Sequence, residues 1–248
     1  MKKTSGIFLL LLFTAGMTFA ETIKVKSIQE GSYTVKASDK SSGKARWENI
    51  ITIKKTGAYI YVEGLGRGLY GKDNKNLTWK SEAYATWVND ELIPYNTKIV
   101  FKNSQGEVVQ TLNKSFNRAS GKVICDVDGK TKQFTFYDDL LDREIMGIVL
   151  SSFPYKEKPE MIFHILTHEP QVYKVAMKYR GLETVTLNGR AVECYKLEMV
   201  LDLGAMNIFG AFVPKTYFWY QTAAPHDFVR YEGLESGLGT PYIVMEGE

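Results

Sequence analysis

Side chains that build most metal sites and nucleophilic sites are scarce in this sequence. Its 248 residues contain three histidines and two cysteines, and no Gly-x-Ser-x-Gly segment occurs. Protein zinc sites draw mainly on histidine and cysteine, and the serine nucleophile of an α/β-hydrolase requires that glycine pattern. The sequence therefore predicts no catalytic residue, no metal site and no cofactor. A hydrolase or a metal protein using His164, His168 or His226 is the least favoured interpretation.

Long apolar runs are missing as well, apart from a short one near the start. The first twenty residues place Lys2 and Lys3 ahead of an apolar run that is followed by small residues up to Ala20. This layout is typical of a cleaved secretory signal, and the run is too short to span a membrane. No cysteine follows to carry a lipid anchor. We expect a periplasmic protein that is cleaved near Ala20, begins near Glu21 and does not span the membrane.

An excess of charge of one sign is absent too. The 31 Lys and Arg residues nearly balance the 28 Asp and Glu residues, and the balance is closer without Lys2 and Lys3. A nucleic-acid partner would require a clustered basic surface, so none is expected. No linker, repeat or low-complexity tract divides the remainder. The sequence predicts a single β-rich domain over residues 21–248.

Short alternating segments rich in β-branched and aromatic residues dominate this domain, and specific turn signals separate them. Asp128-Gly129 and Asn188-Gly189 accept the positive φ angles of a type I′ turn, so both predict tight antiparallel hairpins. Residues 138–152 break the pattern with helical spacing, an acidic start and Pro154 just beyond the end. The predicted fold is mainly β: a strongly curved antiparallel sheet or open barrel, with one helix at about 138–152 packed on it.

The segment GRGLYG looks like a dinucleotide-binding fingerprint, with Gly66, Gly68 and Gly71 at the required spacing after a strand. That fingerprint must open a helix packed on a parallel sheet, but a polar, turn-forming segment follows Gly71. No nucleotide site is predicted. The glycines are instead expected to form a flexible connection or a bulged strand end.

Two other groups of residues suggest chemistry only by spacing. His164 and His168 are four residues apart, but their segment reads as a strand, which would separate them by about 13 Å. Asp138, Asp139, Asp142 and Glu144 resemble a carboxylate cluster, and a helix start accounts for them without catalysis.

The two cysteines, Cys125 and Cys194, each lie in a predicted strand. An exported protein with two cysteines can join them in one disulfide, and two buried free thiols are the alternative.

Aromatic residues are abundant, with 15 Tyr, 13 Phe and 4 Trp. A curved sheet has more inward-facing positions than one helix can cover, so some of these residues are expected to line an apolar cavity. The alternative is that they fill the core. The apolar segment with Met206 and Ile208 is a candidate lip of the cavity. The predicted ligand-binding residues are Tyr59, Tyr61, Trp79, Trp87, Phe209, Phe212, Trp219 and Tyr220.

The second half of the sequence resembles a family of exported bacterial proteins. The segments GLETVTLNGRAVECYKLEMVL, KTYFWYQTAAPHDFVRYEG and TPYIVMEGE follow the order of its final strands, and SEAYATWVNDELIPYNTKIVF fits upstream. The family is identified as domain of unknown function thirty-one-oh-eight. The resemblance implies a fold similar to that of the periplasmic lipoprotein carriers, a curved sheet around an apolar cavity. It implies no catalytic residues.

The favoured function is therefore a soluble periplasmic protein that binds or carries a lipid or another apolar ligand in the concavity of its sheet. The alternative is a non-catalytic interaction or scaffold module of the envelope, with a filled core and edge strands that recruit another envelope protein.

Overall fold

Fifteen strands and one helix make up the described part of the computed structural model, which covers residues 22–202, 214–237 and 239–248. The helix is α1 (Arg143–Ser151). The strands are β1 (Gly31–Asp39), β2 (Ala45–Thr56), β3 (Tyr59–Tyr70), β4 (Lys75–Val88), β5 (Glu91–Lys102), β6 (Val108–Asn117), β7 (Lys122–Val127), β8 (Lys130–Thr135), β9 (Leu140–Asp142), β10 (Glu160–Leu166), β11 (Val172–Leu187), β12 (Arg190–Leu201), β13 (Thr216–Gln221), β14 (Phe228–Leu234) and β15 (Tyr242–Gly247).

All the strands belong to one sheet, in the order β8 to β1 and then β15 down to β9. Every neighbouring pair is antiparallel except β9 and β10, which are parallel. The first and last described strands, β1 and β15, therefore pair at the centre of the sheet, and β8 and β9 form its two edges. This large curved sheet is not closed into a barrel by backbone hydrogen bonds, which confirms the predicted fold class.

The predicted hairpin turns are confirmed. Asp128 and Gly129 have φ angles of 51° and 81° between β7 and β8, and Asn188 and Gly189 have φ angles of 49° and 75° between β11 and β12. Positive φ at both central positions is what a type I′ turn requires.

Side chains close the gap that the backbone leaves between the two ends of the sheet. Lys114 Nζ on β6 lies 2.6 Å from Asp142 Oδ1 on β9, and Thr97 Oγ1 on β5 donates to Asp142 Oδ2 at 2.6 Å. Phe116 of β6 packs in the same buried cluster as Leu140 of β9. The edge strand β9 therefore meets β5 and β6, near the other end of the sheet, through a buried polar contact and an apolar cluster.

The predicted helix begins later than expected, at Arg143 instead of residue 138. Leu140–Asp142 pairs with β10 as a strand, and Asp138 and Asp139 bind Arg118 and His164 instead of a helix terminus. Asp142 occupies the N-cap position, but its carboxylate is engaged by Lys114 and Thr97. The helix packs Ile145, Val149 and Leu150 into the main core.

The expectation that GRGLYG forms a flexible connection or a bulged strand end is wrong. Gly66 and Gly68 lie inside β3 and pair in unbroken register with β2 and β4, and only Gly71 lies in the turn. A Cβ on Gly66 would lie 2.0 Å from the Trp79 ring, and one on Gly68 would lie 2.3 Å from the Arg46 carbonyl oxygen. These glycines are required for close packing.

No disulfide joins the two cysteines, which are free, buried thiols. Cys125 packs near Phe116 and Leu140, whereas Cys194 packs near Trp219 and Val229 in a separate cluster. Burial raises the pKa of both thiols to about 11. The alternative of two free thiols packed as small hydrophobic groups is the one observed.

Candidate ligand-binding cavity

A cavity of about 300 Å³ lies between α1 and the concave face of the sheet. Its walls are mostly apolar and come from both halves of the sheet and from the helix. Examples are Val35 of β1, Ile51 of β2, Phe218 of β13, Met245 of β15 and Met146 of α1. A volume of this size is at the lower end of the range of about 300–1,000 Å³ for small-molecule pockets.

Strand β2 forms a long part of the cavity wall. Trp47, Asn49, Ile51 and Ile53 all line it, as expected for alternate residues of one strand. At about 3.3 Å per residue, the span from Trp47 to Ile53 is about 20 Å. The wall of the cavity therefore extends along this strand for about that distance.

In the middle of the cavity wall, side chains of β4 cover two glycines of β3. A Cβ on Gly64 would lie 2.5 Å from Ser81 Oγ, and one on Gly66 would lie inside contact distance of the Trp79 ring. Trp79 and Ser81 of β4 consequently lean over β3. Asn49, which also lines this part, has an Oδ1 atom without a hydrogen-bond partner in the described part of the chain.

At the Trp47 end, the buried carboxylate of Glu235 is held by four hydrogen-bond donors. Arg46 Nε and Nη2 lie at 2.9 and 3.2 Å, Trp47 Nε1 at 2.8 Å and the Gly71 amide nitrogen at 2.6 Å. Glu235 thus ties the segment after β14 to β2 and to the turn after β3. Its charge is fully compensated by Arg46.

Arg143 lines the same end of the cavity. Its Nη2 donates to the Glu235 backbone oxygen at 2.8 Å, and the Tyr70 hydroxyl lies near enough to act on its pKa. Burial opposes its charge, but Tyr70, Glu144 and Tyr231 outweigh that effect and raise the pKa of Arg143. The guanidinium is therefore a permanent cation facing the cavity.

His168 lies beside Arg143, with Nδ1 3.6 Å from Glu144 Oε1 and its ring against Phe101. Its Nε2 is buried and has no hydrogen-bond partner among the described residues. Burial lowers the pKa of His168, although Glu144 acts in the opposite direction. Burial also opposes the charge of Glu144, but His168, Lys114 and Arg143 hold the pKa of that carboxyl down to about 2.

Two of the eight predicted ligand-binding residues line this cavity. Trp79 forms an edge contact with Trp47, and Tyr220 lies below the helix with its hydroxyl 3.4 Å from the Gly147 carbonyl oxygen. Phe209 and Phe212, together with the predicted lip, lie outside the described residues.

The other four aromatic residues lie away from the cavity. Tyr59 is 60% exposed, and Tyr61 donates its hydroxyl hydrogen bond to Glu63 and Glu82. Trp87 Nε1 donates to the Val25 carbonyl oxygen. Trp219 is buried, but it points to the face of β13 opposite Phe218 and Tyr220. A binding role for all eight residues stays a prediction.

Sequence reasoning missed the polar end of the cavity. A helix start accounts for Glu144 in the sequence, and no pattern marks Arg143 as a site residue. Glu235 lies in a loop without a recognisable motif. The one available signal was GRGLYG, whose Tyr70 and Gly71 contact Arg143 and Glu235.

The three histidines lie in three separate environments. His164 Nδ1 is 2.8 Å from Asp139 Oδ1 and its ring stacks on Tyr137, while His226 Nδ1 is 2.9 Å from the Gln221 carbonyl oxygen. Within residues 22–202, 214–237 and 239–248, no three His, Cys, Asp or Glu side chains are grouped to hold a metal ion. Nor does that part contain a helix long and apolar enough to cross a membrane.

Comparison with known proteins shows a similar fold but no family. No family model and no curated protein matches the chain. The crystal structure of the β-barrel-like protein of domain of unknown function DUF1849 from Brucella abortus matches with a TM-score of 0.55 and 8% identity, over 88% of this chain and 94% of that chain. The crystal structure of the hypothetical lipoprotein YmcC from Escherichia coli (K12) has a TM-score of 0.30 and 11% identity, over 90% of this chain and 89% of that chain.

The first similarity shows a shared barrel-like fold, and the second is too low to add to it. A fold found among domains of unknown function is therefore confirmed. Membership in the thirty-one-oh-eight family stays a prediction.

Proposed function

We propose that the protein binds one apolar or amphipathic molecule, such as a lipid, in the cavity between α1 and the sheet, and that it does so in the periplasm. The observation that carries this proposal is the cavity itself, which is mostly apolar and about 300 Å³ in volume. Close-packed protein interiors contain few voids larger than a water molecule, so a space of this size requires a reason.

The lining supports a binding role. Apolar residues from both halves of the sheet and from α1 face the space without filling it. The layout of the first twenty residues supports export to the periplasm.

The alternative of an envelope scaffold has less support. Recruitment of a partner by strand addition needs an accessible edge. One edge, β9, has only three residues, and the other, β8, carries the exposed Lys130 and Lys132. Lysines and short strands at an edge discourage pairing with another chain.

Two measurements on the protein purified from its own host test the binding proposal. Native mass spectrometry is expected to show a co-purifying small molecule, and the delipidated protein is expected to take up Nile red, an uncharged apolar fluorophore, with saturation at one site. A bare mass together with no saturable uptake would overturn the proposal.

A further inference from the structure

We infer that the ligand is a single-chain amphiphile with a carboxylate head, of the chemical class of a long-chain fatty acid, and that the Arg143 guanidinium binds the carboxylate. This inference deepens the binding function proposed above and rests on it. It follows from the distribution of charge along the cavity.

All the charged residues of the cavity lining lie at one end. Arg143, Glu144 and Glu235 surround the Trp47 end, whereas Ile53, Val62 and other apolar or neutral residues form the rest of the wall. A ligand that fills such a space is amphipathic, with its polar head beside these residues and its apolar part along β2.

The sign of the head group follows from which charges are already paired. Glu235 accepts from two N–H groups of Arg46 and from two further donors, Trp47 Nε1 and the Gly71 amide nitrogen. Glu144 Oε1 lies 3.6 Å from His168 Nδ1, and the Lys114 and Arg143 charges also hold the pKa of Glu144 low. Arg143, by contrast, has five N–H donors, and its polar partners, the Glu235 backbone oxygen and the Tyr70 hydroxyl, are both neutral. In the described residues, no carboxylate forms an ion pair with Arg143.

A cation in a mostly apolar space is costly unless an anion compensates it. The planar guanidinium matches a carboxylate with two parallel hydrogen bonds, and such charge-assisted pairs are among the strongest in proteins. An incoming carboxylate would therefore supply the partner that Arg143 lacks among the described residues.

The size of the cavity favours one chain over two. A space of about 300 Å³ is at the lower end of the range for small-molecule pockets. The two chains and bulky head group of a phospholipid need a larger space, whereas a single chain needs less.

The test compares cis-parinaric acid, a fluorescent fatty acid, with its methyl ester, which has the same chain and no charge. Titrations of the delipidated protein at a pH where the acid is ionised are expected to show the acid binding roughly tenfold or more tightly. Arg143→Gln is expected to lower the affinity for the acid to that for the ester and to leave the ester unchanged. The control Arg67→Gln removes an exposed arginine of the outer face and is expected to change neither.

The outcomes separate the two proposals. Equal affinities for acid and ester in the wild-type protein would overturn the carboxylate inference and leave apolar binding standing, whereas no binding of either would overturn both. If Arg143→Gln does not fold, competition on the wild-type protein decides. Displacement of the ester by oleate at concentrations about tenfold below those of oleyl alcohol supports the inference, and equal potency overturns it.

Discussion

Lys114 and Asp142 form an ion pair at 2.6 Å with no solvent exposure of either side chain, although they stand on strands near opposite ends of the sheet. Asp142 also receives the Thr97 hydroxyl hydrogen bond. The pair joins β6 to β9 where the backbone leaves the sheet open. It therefore helps to hold the two ends of the sheet together.

Breaking this pair is expected to be strongly destabilising. Lys114→Met leaves the Asp142 carboxylate buried without a cation, so the free energy of unfolding should fall by about 3–5 kcal/mol. Urea unfolding measures this loss. The double variant Lys114→Met/Asp142→Leu leaves no buried charge and should recover part of it.

The exposed pair Lys36–Glu248 supplies the control for that experiment. Lys36→Met should change the free energy of unfolding by less than about 1 kcal/mol. A double variant as unstable as Lys114→Met alone would show that the buried charge is not the cause.

Filling the cavity should abolish ligand uptake without unfolding the protein. Ser81→Phe places a ring in the middle of the cavity beside Gly64, at an expected cost of about 1–3 kcal/mol. Nile red uptake should be lost, while circular dichroism stays that of a β-protein. Ser115→Phe makes the same replacement on an exposed position of β6 and should keep uptake, so equal behaviour of the two variants would contradict the assigned cavity.

Glycine replacements should have opposite effects in the strand and in the helix. Gly66→Ala drives a methyl group into the Trp79 ring, so it should lower stability by about 1–3 kcal/mol and change tryptophan fluorescence. Gly147→Ala adds a methyl group where nothing lies within 4 Å, and it should raise stability by up to about 1 kcal/mol through helix propensity. Thermal unfolding distinguishes the two, and a neutral Gly66→Ala would contradict the tight contact.

Acid should destabilise the protein through His168. Burial among Phe101, Tyr70, Arg143 and Lys114 holds its pKa below 6.5, against the attraction of Glu144. The unfolded chain therefore takes up this proton at a higher pH than the folded protein does. The free energy of unfolding should be highest above about pH 6.5 and should fall as the pH drops from there toward the folded pKa.

Urea unfolding across this range, in wild-type and His168→Gln proteins, checks the effect. The variant should lose this part of the pH dependence. Phe101→Leu disturbs the same packing but keeps the imidazole, so it should retain the slope. The loss of stability attributed to Glu144 lies in a separate range, between about pH 4.5 and 2, because its folded pKa is about 2.

Local patterns predicted much of the fold. Alternation along β3 to β7 and the Asp-Gly and Asn-Gly turns gave the meander, because both depend on residues adjacent in sequence. The strand β9 was missed because three residues with an acidic end carry no recognisable pattern. Its pairing with β10 is decided by contacts of Asp139 and Asp142 with distant residues.

The cavity was predicted more reliably than its lining. Alternation separates the two faces of a strand but does not say which face points to the concave side of the sheet. The predicted residues are therefore divided between the two sides: Trp79 and Tyr220 line the cavity, whereas Tyr59 and Trp219 do not. The polar end depends on contacts between remote parts of the chain. Arg143 and the Glu235 carbonyl group, for example, are 92 residues apart in sequence.

The central pairing of β1 with β15 sets the order in which the sheet can assemble. A chain emerges N-terminal first, whether from the ribosome or across a membrane, so β1 can pair early with β2, but its other edge must wait for β15. Glu248, just after β15, lies 212 residues beyond its partner Lys36. The Lys114–Asp142 contact spans only 28 residues and can form much earlier. Until β15 is available, the edge of β1 that will lie in the middle of the sheet has unpaired backbone hydrogen-bonding groups. Unpaired strand edges promote aggregation, so the incomplete chain is most prone to aggregate before its last strand pairs.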